Sequence, residues 1–208
     1  MDGISLELKP SGRTVVGVEA ANEALAAFGT RLWPIDLTAA PGDVRTLLAR
    51  PKLTSAEVVT VREAFLLPRE RLLEVIVASG REPSVPDGGE LSTLDVANNV
   101  TYPQLYIVEA GVDYSRFDRL HQNKADDGTE LDEVLSILSG SGVRLIQRLA
   151  DGSQATLQVD CVDGQTGWLL SYGGHPHIGS FTGASPGTKV LVQAIGPARW
   201  QARYTEGA

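Results

Sequence analysis

The second half of the sequence consists of short runs of alternating apolar residues, and this pattern limits the folds open to the chain. From Tyr102 onward, Gly, Asp and Ser turns separate runs of four to seven residues at regular intervals. Such runs predict the strands of a β-sandwich or β-barrel closed over its own core. Eight of them within about a hundred residues match the size of a jelly roll, or double-stranded β-helix; they are 105–109, 117–122, 133–138, 143–149, 155–160, 168–171, 189–195 and 199–204.

The first half mixes strand and helix signals. Residues 4–8 and 14–18 alternate around a turn and predict a hairpin. Helical periodicity, the capping pair Thr54 and Glu57, and stop signals at Gly or Pro predict helices at 19–28, 43–50, 56–67 and 69–79. The fold class is therefore mainly β with N-terminal helices (α+β), in which a jelly roll carries an N-terminal α/β extension.

A turn-rich segment at 81–92 predicts the boundary between two parts of the chain. Residues 1–92 form the helical and mixed N-terminal extension, and residues 93–208 form the barrel. Two of the predicted helices have apolar faces that must be kept from water, which predicts that they dock on the barrel of the same chain. These faces are formed by Val58, Val61, Phe65, Leu72 and Ile76.

The charge balance argues against a nucleic-acid partner. The formal net charge of the 208 residues is −8 and the pI is near 4.9, and only four of the eighteen basic residues are lysines. The sequence therefore predicts no broad cationic surface that could neutralise a phosphate backbone. A helix-turn-helix interpretation of the last two helices is disfavoured because Glu57, Glu63, Glu70 and Glu74 balance their basic residues. Without a signal peptide or a membrane-length apolar run, we expect a cytoplasmic protein with no membrane partner.

All three histidines lie in two short segments of the predicted barrel. Residues two apart on a strand share a face, so Arg119, His121 and Asn123 are expected to point inward together, as are His175 and His177. Imidazole, carboxylate and amide ligands suit Fe, Mn, Ni or Zn as divalent ions. The alternative is structural: His121 packs beside core aliphatics and residues 175–177 form a loop that caps backbone groups.

These segments resemble the two motifs of the cupin superfamily. The first motif reads Gly, five residues, His-x-His, three or four residues, Glu, six residues, Gly. Here Ser115 replaces the first Gly, Asn123 replaces the second His, and six residues separate Glu133 from Gly140, although nine residues separate Asn123 from Glu133. The second motif, Pro-x-Gly-x-x-His, matches residues 172–177 with Tyr in place of Pro. Cupins with His-x-Asn in the first motif occur among iron-dependent ring-cleaving dioxygenases.

The resemblance implies a cupin-type barrel with a divalent metal site. The implied metal ligands are His121, Asn123, Glu133 and His177, and the residues expected to bind substrate are Arg119, Trp168, Tyr172 and His175. The activity implied is a dioxygenase-like oxidoreductase acting on a small organic acid or phenolic compound, while no catalytic residue is assigned. Cupin barrels commonly associate through their sheets, so a homodimer is also expected.

Three alternatives remain open at the level of sequence. One is a three-histidine metal site that uses His121, His175 and His177. Another is ligation by the carboxylates of the acidic loop and the strand after it, which are Asp126, Asp127, Glu130 and Glu133. The third is a cupin that binds a small ligand without metal and without chemistry, since a barrel keeps its core when its ligand residues change.

Overall fold

The structure, a computed structural model, describes residues 3–205 as a two-layer β fold with three α-helices on the outer face of one sheet and a fourth that packs into the core between the sheets. Its strands are Ile4–Lys9 (β1), Arg13–Val16 (β2), Arg31–Asp36 (β3), Leu94–Asp95 (β4), Val100–Thr101 (β5), Gln104–Ile107 (β6), His121–Lys124 (β7), Asp132–Ser139 (β8), Val143–Arg148 (β9), Gln154–Val159 (β10), Thr166–Tyr172 (β11), His177–Ser180 (β12), Lys189–Ile195 (β13) and Arg199–Tyr204 (β14). Its α-helices are Val18–Leu25 (α1), Gly42–Ala49 (α2), Ser55–Phe65 (α3) and Arg69–Ala78 (α4). Single 3-10 turns occupy Ala26–Phe28, Leu37–Ala39 and Ser115–Phe117.

Two sheets face each other across the main core. One has nine strands in the order β2-β1-β10-β9-β12-β7-β14-β4-β5, and the other has five in the order β3-β11-β8-β13-β6. Neighbours in both sheets are antiparallel except β14 and β4. Along β9 and β10 every second residue is buried in the space between the sheets, as the sequence alternation predicts. The predicted class, mainly β with N-terminal helices, is confirmed.

The five-stranded sheet is covered on both of its faces. Its central strand, β8, is buried at seven consecutive positions because one face packs on the main core and the other on helices. On the helix side, Val61 of α3 packs with Leu138 and Leu191, while α4 contributes a second apolar cluster through Leu72 and its neighbours. Within residues 3–205, no helix is long and apolar enough to cross a membrane.

The N-terminal segment supplies strands to both sheets. Strand β1 pairs with β10 over six residues, from Ile4 opposite Val159 to Lys9 opposite Gln154. Strand β3 forms the edge beside β11, a position that tolerates Pro34 because an edge strand needs no hydrogen bond on its outer side. The division of the chain at residues 92 and 93 stays a prediction.

The predicted strand 117–122 is shorter in the structure. Residues 115–117 form a 3-10 turn and the strand begins only at His121. Phe117 turns toward Tyr114 and Phe181, with ring centroids 6.2 and 5.9 Å away, instead of continuing the pleat. Strand β12 has no counterpart in the prediction, because four residues that include Gly179 carry too little alternation to be recognised.

A buried lysine fastens α2 to the barrel. The ammonium of Lys189 on β13 donates to the carbonyl oxygens of Leu48 at 2.9 Å, Arg50 at 2.6 Å and Gly187 at 3.0 Å. Burial, together with the charge of Arg50, lowers the pKa of Lys189 to about 8. Its three N–H groups are all paired, and two of the acceptors lie at the C-terminal end of α2, so the side chain caps that helix.

A buried ion pair joins the segment after α4 to the start of β8. The Arg81 guanidinium contacts Asp132 Oδ1 at 2.5 Å and donates to the backbone carbonyls of Tyr172 and Gly29, both at 3.0 Å. Asp132 Oδ2 accepts from the backbone N–H of Ser84 at 2.7 Å. Side-chain exposure is 11% for Arg81 and 1% for Asp132, so neither charge has water as an alternative partner.

Replacing Arg81 with methionine should therefore destabilise the fold strongly. Arg81→Met leaves the Asp132 carboxylate buried without its cation, and we expect a loss of about 3–5 kcal/mol in the free energy of unfolding. The matched control is Arg71→Met, whose exposed pair with Glu74 on α4 should be worth less than about 1 kcal/mol. Urea denaturation of both variants measures the difference, and equal losses would contradict the structural role of the Arg81 pair.

Candidate functional site

The two sheets meet in a polar cluster formed by β7, β8 and β12. His177 lies opposite His121 in the register of β12 and β7, with ring centroids 4.7 Å apart. Glu133 reaches across from β8, and its Oε2 lies 3.2 Å from His177 Nε2. Asn123 Nδ2 donates to the same oxygen at 2.9 Å. The structure thus brings together His121, Asn123, Glu133 and His177, the four residues predicted as metal ligands.

Burial controls the protonation of this cluster. Glu133, His177 and Asn123 expose 5% or less of their surface. Burial by itself would raise the pKa of Glu133, but the hydrogen bond and charge of His177, the charge of His121 and the Asn123 amide together hold it below its ordinary value. The pKa of His121 is lowered by burial and by the neighbouring His177. The carboxylate is therefore ionised inside the protein.

Backbone carbonyls determine which nitrogen of each imidazole is free. His121 Nδ1 lies 2.8 Å from the carbonyl oxygen of Arg119, and His177 Nδ1 lies 3.1 Å from that of His175. A carbonyl oxygen only accepts, so Nδ1 carries the proton in both rings and Nε2 presents its lone pair when the ring is neutral. If His177 is neutral, the lone pair of its Nε2 faces the carboxylate oxygen Oε2 of Glu133, and both atoms are hydrogen-bond acceptors. Their 3.2 Å contact requires a proton or a metal ion between them.

The donor set and its spacing fit a metal ion in part. Nitrogen and oxygen ligands of one ion, each at about 2.0–2.2 Å, are separated by about 2.9–3.5 Å at octahedral or tetrahedral angles. The contact of 3.2 Å between His177 Nε2 and Glu133 Oε2 has this spacing. Asn123 Oδ1 beside them is buried without a hydrogen-bond partner among residues 3–205. In the same range, no three histidine, cysteine or carboxylate side chains already converge on one point, so the His121 ring must turn to complete a metal site.

Tyr172, which was predicted to bind substrate, lies beside the cluster. It lies opposite Glu133 in the register of β11 and β8, and its ring stands edge-on to His177 with centroids 5.0 Å apart. Burial, the charge of Glu133 and a hydrogen bond to that carboxylate raise the pKa of Tyr172 well above its ordinary value. The phenol stays neutral and donates toward the site.

The structure corrects the expectation that Arg119 points into the barrel. Because β7 begins at His121, Arg119 lies before the pleat and is exposed. Its guanidinium stacks 3.7 Å above the ring of Tyr204, which lies 5.9 Å from the His121 ring. Arg119, Tyr204, His121 and His177 therefore form a continuous line from the surface to the buried cluster.

Trp168 and His175 are placed outside the cluster. Trp168 is buried in the main core on β11, opposite Ile137, because it lies four residues away from Tyr172 along the same strand. His175 precedes β12, so it does not share a strand face with His177 as expected. Burial lowers the pKa of His175, which also senses the charges of Glu130 and Arg81. The three-histidine set is not brought together.

The acidic loop is committed to surface contacts. Asp126 pairs with Arg203 at 2.8 Å, Asp127 accepts from the Thr129 N–H at 2.9 Å, and Glu130 pairs with Lys124 at 3.0 Å. These carboxylates occupy the turn between β7 and β8, whereas Glu133 points into the barrel. The alternative metal site on the loop is thus not assembled.

One residue of the site escaped the sequence analysis. Gln147 on β9 lies directly opposite His177 and is buried, with its Oε1 accepting from Thr30 Oγ1 at 2.6 Å. The sequence does indicate that Gln147 is buried. Val143 and Leu145 are the apolar, inward-facing residues of this strand, and Gln147 is the next residue on the same side. A polar residue at a core position indicates a buried polar partner or a site.

Comparison with known proteins supports the fold. No family model matches the chain, and no curated protein matches it either. A solved structure of acireductone dioxygenase from Bacillus anthracis, with a cadmium ion in its active centre, is similar over 94% of this chain and 93% of that chain. The sequence identity is 12% and the TM-score is 0.59. The chain thus has a cupin-type double-stranded β-helix with an N-terminal α/β extension.

The lowered pKa values predict acid sensitivity of the site. His121 has a folded pKa below its ordinary 6.5 and Glu133 below its ordinary 4.5, so the folded state binds protons at these groups less readily than the unfolded chain. Their contribution to stability is complete above those ordinary values and is lost as pH falls through the lowered ones. In metal-free protein, we expect stability to decline as pH falls below 6.5, and His121→Gln to flatten this decline.

Half-buried His175 provides the comparison for this measurement. His175→Gln removes a histidine whose pKa is also lowered by burial, but which lies outside the polar cluster. Thermal unfolding of both variants with chelator at pH 7, 6 and 5 should give the smaller pH dependence for His121→Gln. An unchanged slope in His121→Gln would contradict the assignment of a buried, neutral imidazole.

Proposed function

We propose that the protein is a metal-dependent cupin oxidoreductase, dioxygenase-like, that acts on a small organic acid or phenolic compound. His121, Asn123, Glu133 and His177 hold the divalent ion, which is Fe, Mn, Ni or Zn. The observation that carries this proposal is the contact of 3.2 Å between His177 Nε2 and Glu133 Oε2. Two acceptors in a dry interior repel each other unless a proton or a metal ion lies between them, and we assign a metal ion to this position. The cadmium-bound acireductone dioxygenase of similar fold supports it.

The chain itself orients the ligands. The carbonyls of Arg119 and His175 hold the imidazoles with Nε2 free, in the manner that fixes metal-binding histidines. Asn123 Nδ2 holds one carboxylate oxygen of Glu133, and the ring of Tyr172 restricts rotation of His177. A divalent ion bound there supplies Lewis-acid activation of an oxygen ligand and a template for the substrate.

The mouth of the site suits an anionic substrate. Arg119 forms no ion pair within the described residues, and stacking on Tyr204 leaves the edge of its guanidinium free to bind a carboxylate in a bidentate manner. Tyr204 is 47% exposed and leads to His121. A small organic acid entering from this side meets the cation of Arg119 first and the metal second.

The ligand is a small molecule, and neither nucleic acid nor membrane takes part. The chain acts in the cytoplasm, as a homodimer associated through its sheets. Residues 1–92 form an extension packed on the barrel of residues 93–208. Substrate binding uses Arg119 and Tyr172, whereas Trp168 and His175 support the core and the turn.

Metal content tests the ligand assignment. Protein purified without an affinity tag and loaded with Mn or Zn should retain about one equivalent after gel filtration, and His177→Ala or Glu133→Gln should lose it because each removes a ligand. His175→Ala is the matched control and should retain the metal, since its side chain lies outside the cluster. Metal content unaffected by both ligand substitutions would end the proposal.

A second candidate is a cupin that binds a small ligand without metal. It is favoured because, among residues 3–205, no three histidine, cysteine or carboxylate side chains are close enough together to hold a metal ion. In addition, a proton alone can stabilise the contact between His177 and Glu133. In this case the polar cluster is a buried ion pair that orients a ligand through hydrogen bonds.

Thermal shift separates the two candidates. The enzyme is expected to gain stability from metal, and from organic acids only when metal is present, because bound ligand adds RT ln(1 + [L]/Kd) to stability. The screen covers organic acids, sugars and nucleotides, each with and without chelator. Stabilisation by a ligand that chelation leaves unchanged would favour the metal-free candidate instead.

A further inference from the structure

The last buried residue on the inward face of β9 is Gln147, and only one end of its side-chain amide is hydrogen-bonded. Gln147 follows Val143 and Leu145 on this face and is 1% exposed. It lies directly opposite His177 in the register of β9 and β12, which sets the Cβ atoms of the two residues about 4.5–5.5 Å apart. Its side chain is therefore an immediate neighbour of the proposed metal site.

Only one end of this amide is paired. Oε1 accepts from the hydroxyl of Thr30, itself 1% exposed, at 2.6 Å. Nε2 is buried and has no hydrogen-bond partner among the residues that the structure describes. Leaving a buried N–H unpaired is destabilising, so a fold retains such a group where a ligand or an ordered water pairs it.

The two unpaired amide groups of the site differ in chemistry. Asn123 presents an oxygen, which can bind a cation, while Gln147 presents an N–H, which can only donate. Across strands β9, β12 and β7, the order is Gln147, His177 and His121. An N–H group beside His177 can donate to an anionic oxygen bound at the metal, but it cannot bind the metal itself.

We propose that Gln147 Nε2 donates a hydrogen bond to an oxygen of an anionic ligand bound at the metal and so determines how that ligand is oriented. The ligand class is a carboxylate or related oxyanion. Thr30 is the positioning residue, because its hydroxyl pairs with Oε1 of the amide and leaves Nε2 as the end without a partner among the described residues. This inference rests on the proposed function, since it requires the metal.

Oxalate binding to the cobalt-loaded protein tests the role of Gln147. Wild type, Gln147→Met and Thr30→Val are loaded with Co²⁺, their metal content is measured, and oxalate is titrated while the visible spectrum of the ion is followed. All three should hold one equivalent of metal. Gln147→Met should bind oxalate at least about tenfold more weakly, the effect of one hydrogen bond to a charged acceptor, and Thr30→Val should show a smaller loss.

Gln193→Met is the matched control. Gln193 on β13 is equally buried, but both ends of its amide pair with the backbone of Leu67 at 3.0 Å on the helix side of the sheet. Its replacement should lower stability and leave oxalate affinity unchanged. If Gln147→Met and Gln193→Met have the same effect on oxalate affinity, the amide has only a structural role and the proposal fails.

The remaining outcomes distinguish this proposal from the proposed function. The role of Gln147 alone is overturned if metal-loaded wild type does not bind oxalate, or binds it no better than Gln147→Met does. A buried water would then be the partner of Nε2. Loss of metal from Gln147→Met would make the residue a metal ligand and would also overturn it. Wild type that takes up no metal overturns the proposed function and this inference together.

Discussion

The contact between His177 and Glu133 joins the inward faces of the two sheets, and the rest of the site is arranged around it. Burying a carboxylate costs several kcal/mol unless a partner of opposite charge compensates it. Glu133 and His177 expose 3% and 4% of their surface, so each depends on the other or on an ion between them. A hydrophobic pair of similar size would pack without that cost, which makes a functional origin of this pair the simplest explanation.

The surrounding structure keeps this contact in position. Adjacent residues at the start of β8 face opposite ways: Asp132 is fastened to Arg81 on one side, and Glu133 reaches into the barrel on the other. The ion pair of Arg81 therefore fixes the strand from which Glu133 projects. Carbonyl oxygens hold the Nδ1 atoms of both imidazoles, and the Asn123 amide holds the carboxylate. These contacts hold the side chains of the site in place, and the line of rings from His121 to exposed Tyr204 connects the site to the surface.

Much of this arrangement follows from the sequence because strand alternation and motif spacing report which residues face the same side. Most of the barrel strands and the four helices were predicted from such patterns, and the set of His121, Asn123, Glu133 and His177 from the resemblance to the cupin motifs. Prediction from the sequence fails where the local periodicity is weak. Residues 117–120 have the composition of a strand, but contacts of Phe117 with distant aromatic rings end it, so Arg119 lies at the mouth and not inside. The alternation of β9 places Gln147 on the buried side, but its role was not predicted because its partners, Thr30 and His177, are distant in sequence.

Anomalous diffraction from a crystal grown with Mn or Zn would show whether an ion lies between His177 and Glu133. We expect one strong peak between the two sheets, within about 2.0–2.2 Å of His177 Nε2 and Glu133 Oε2, with the His121 ring turned toward it. We also expect an oxygen of Asn123 to face the ion. A peak on the surface loop at Asp126, or a His177–Glu133 contact that keeps its distance of 3.2 Å with no peak beside it, would show that the ion does not bind in this cluster.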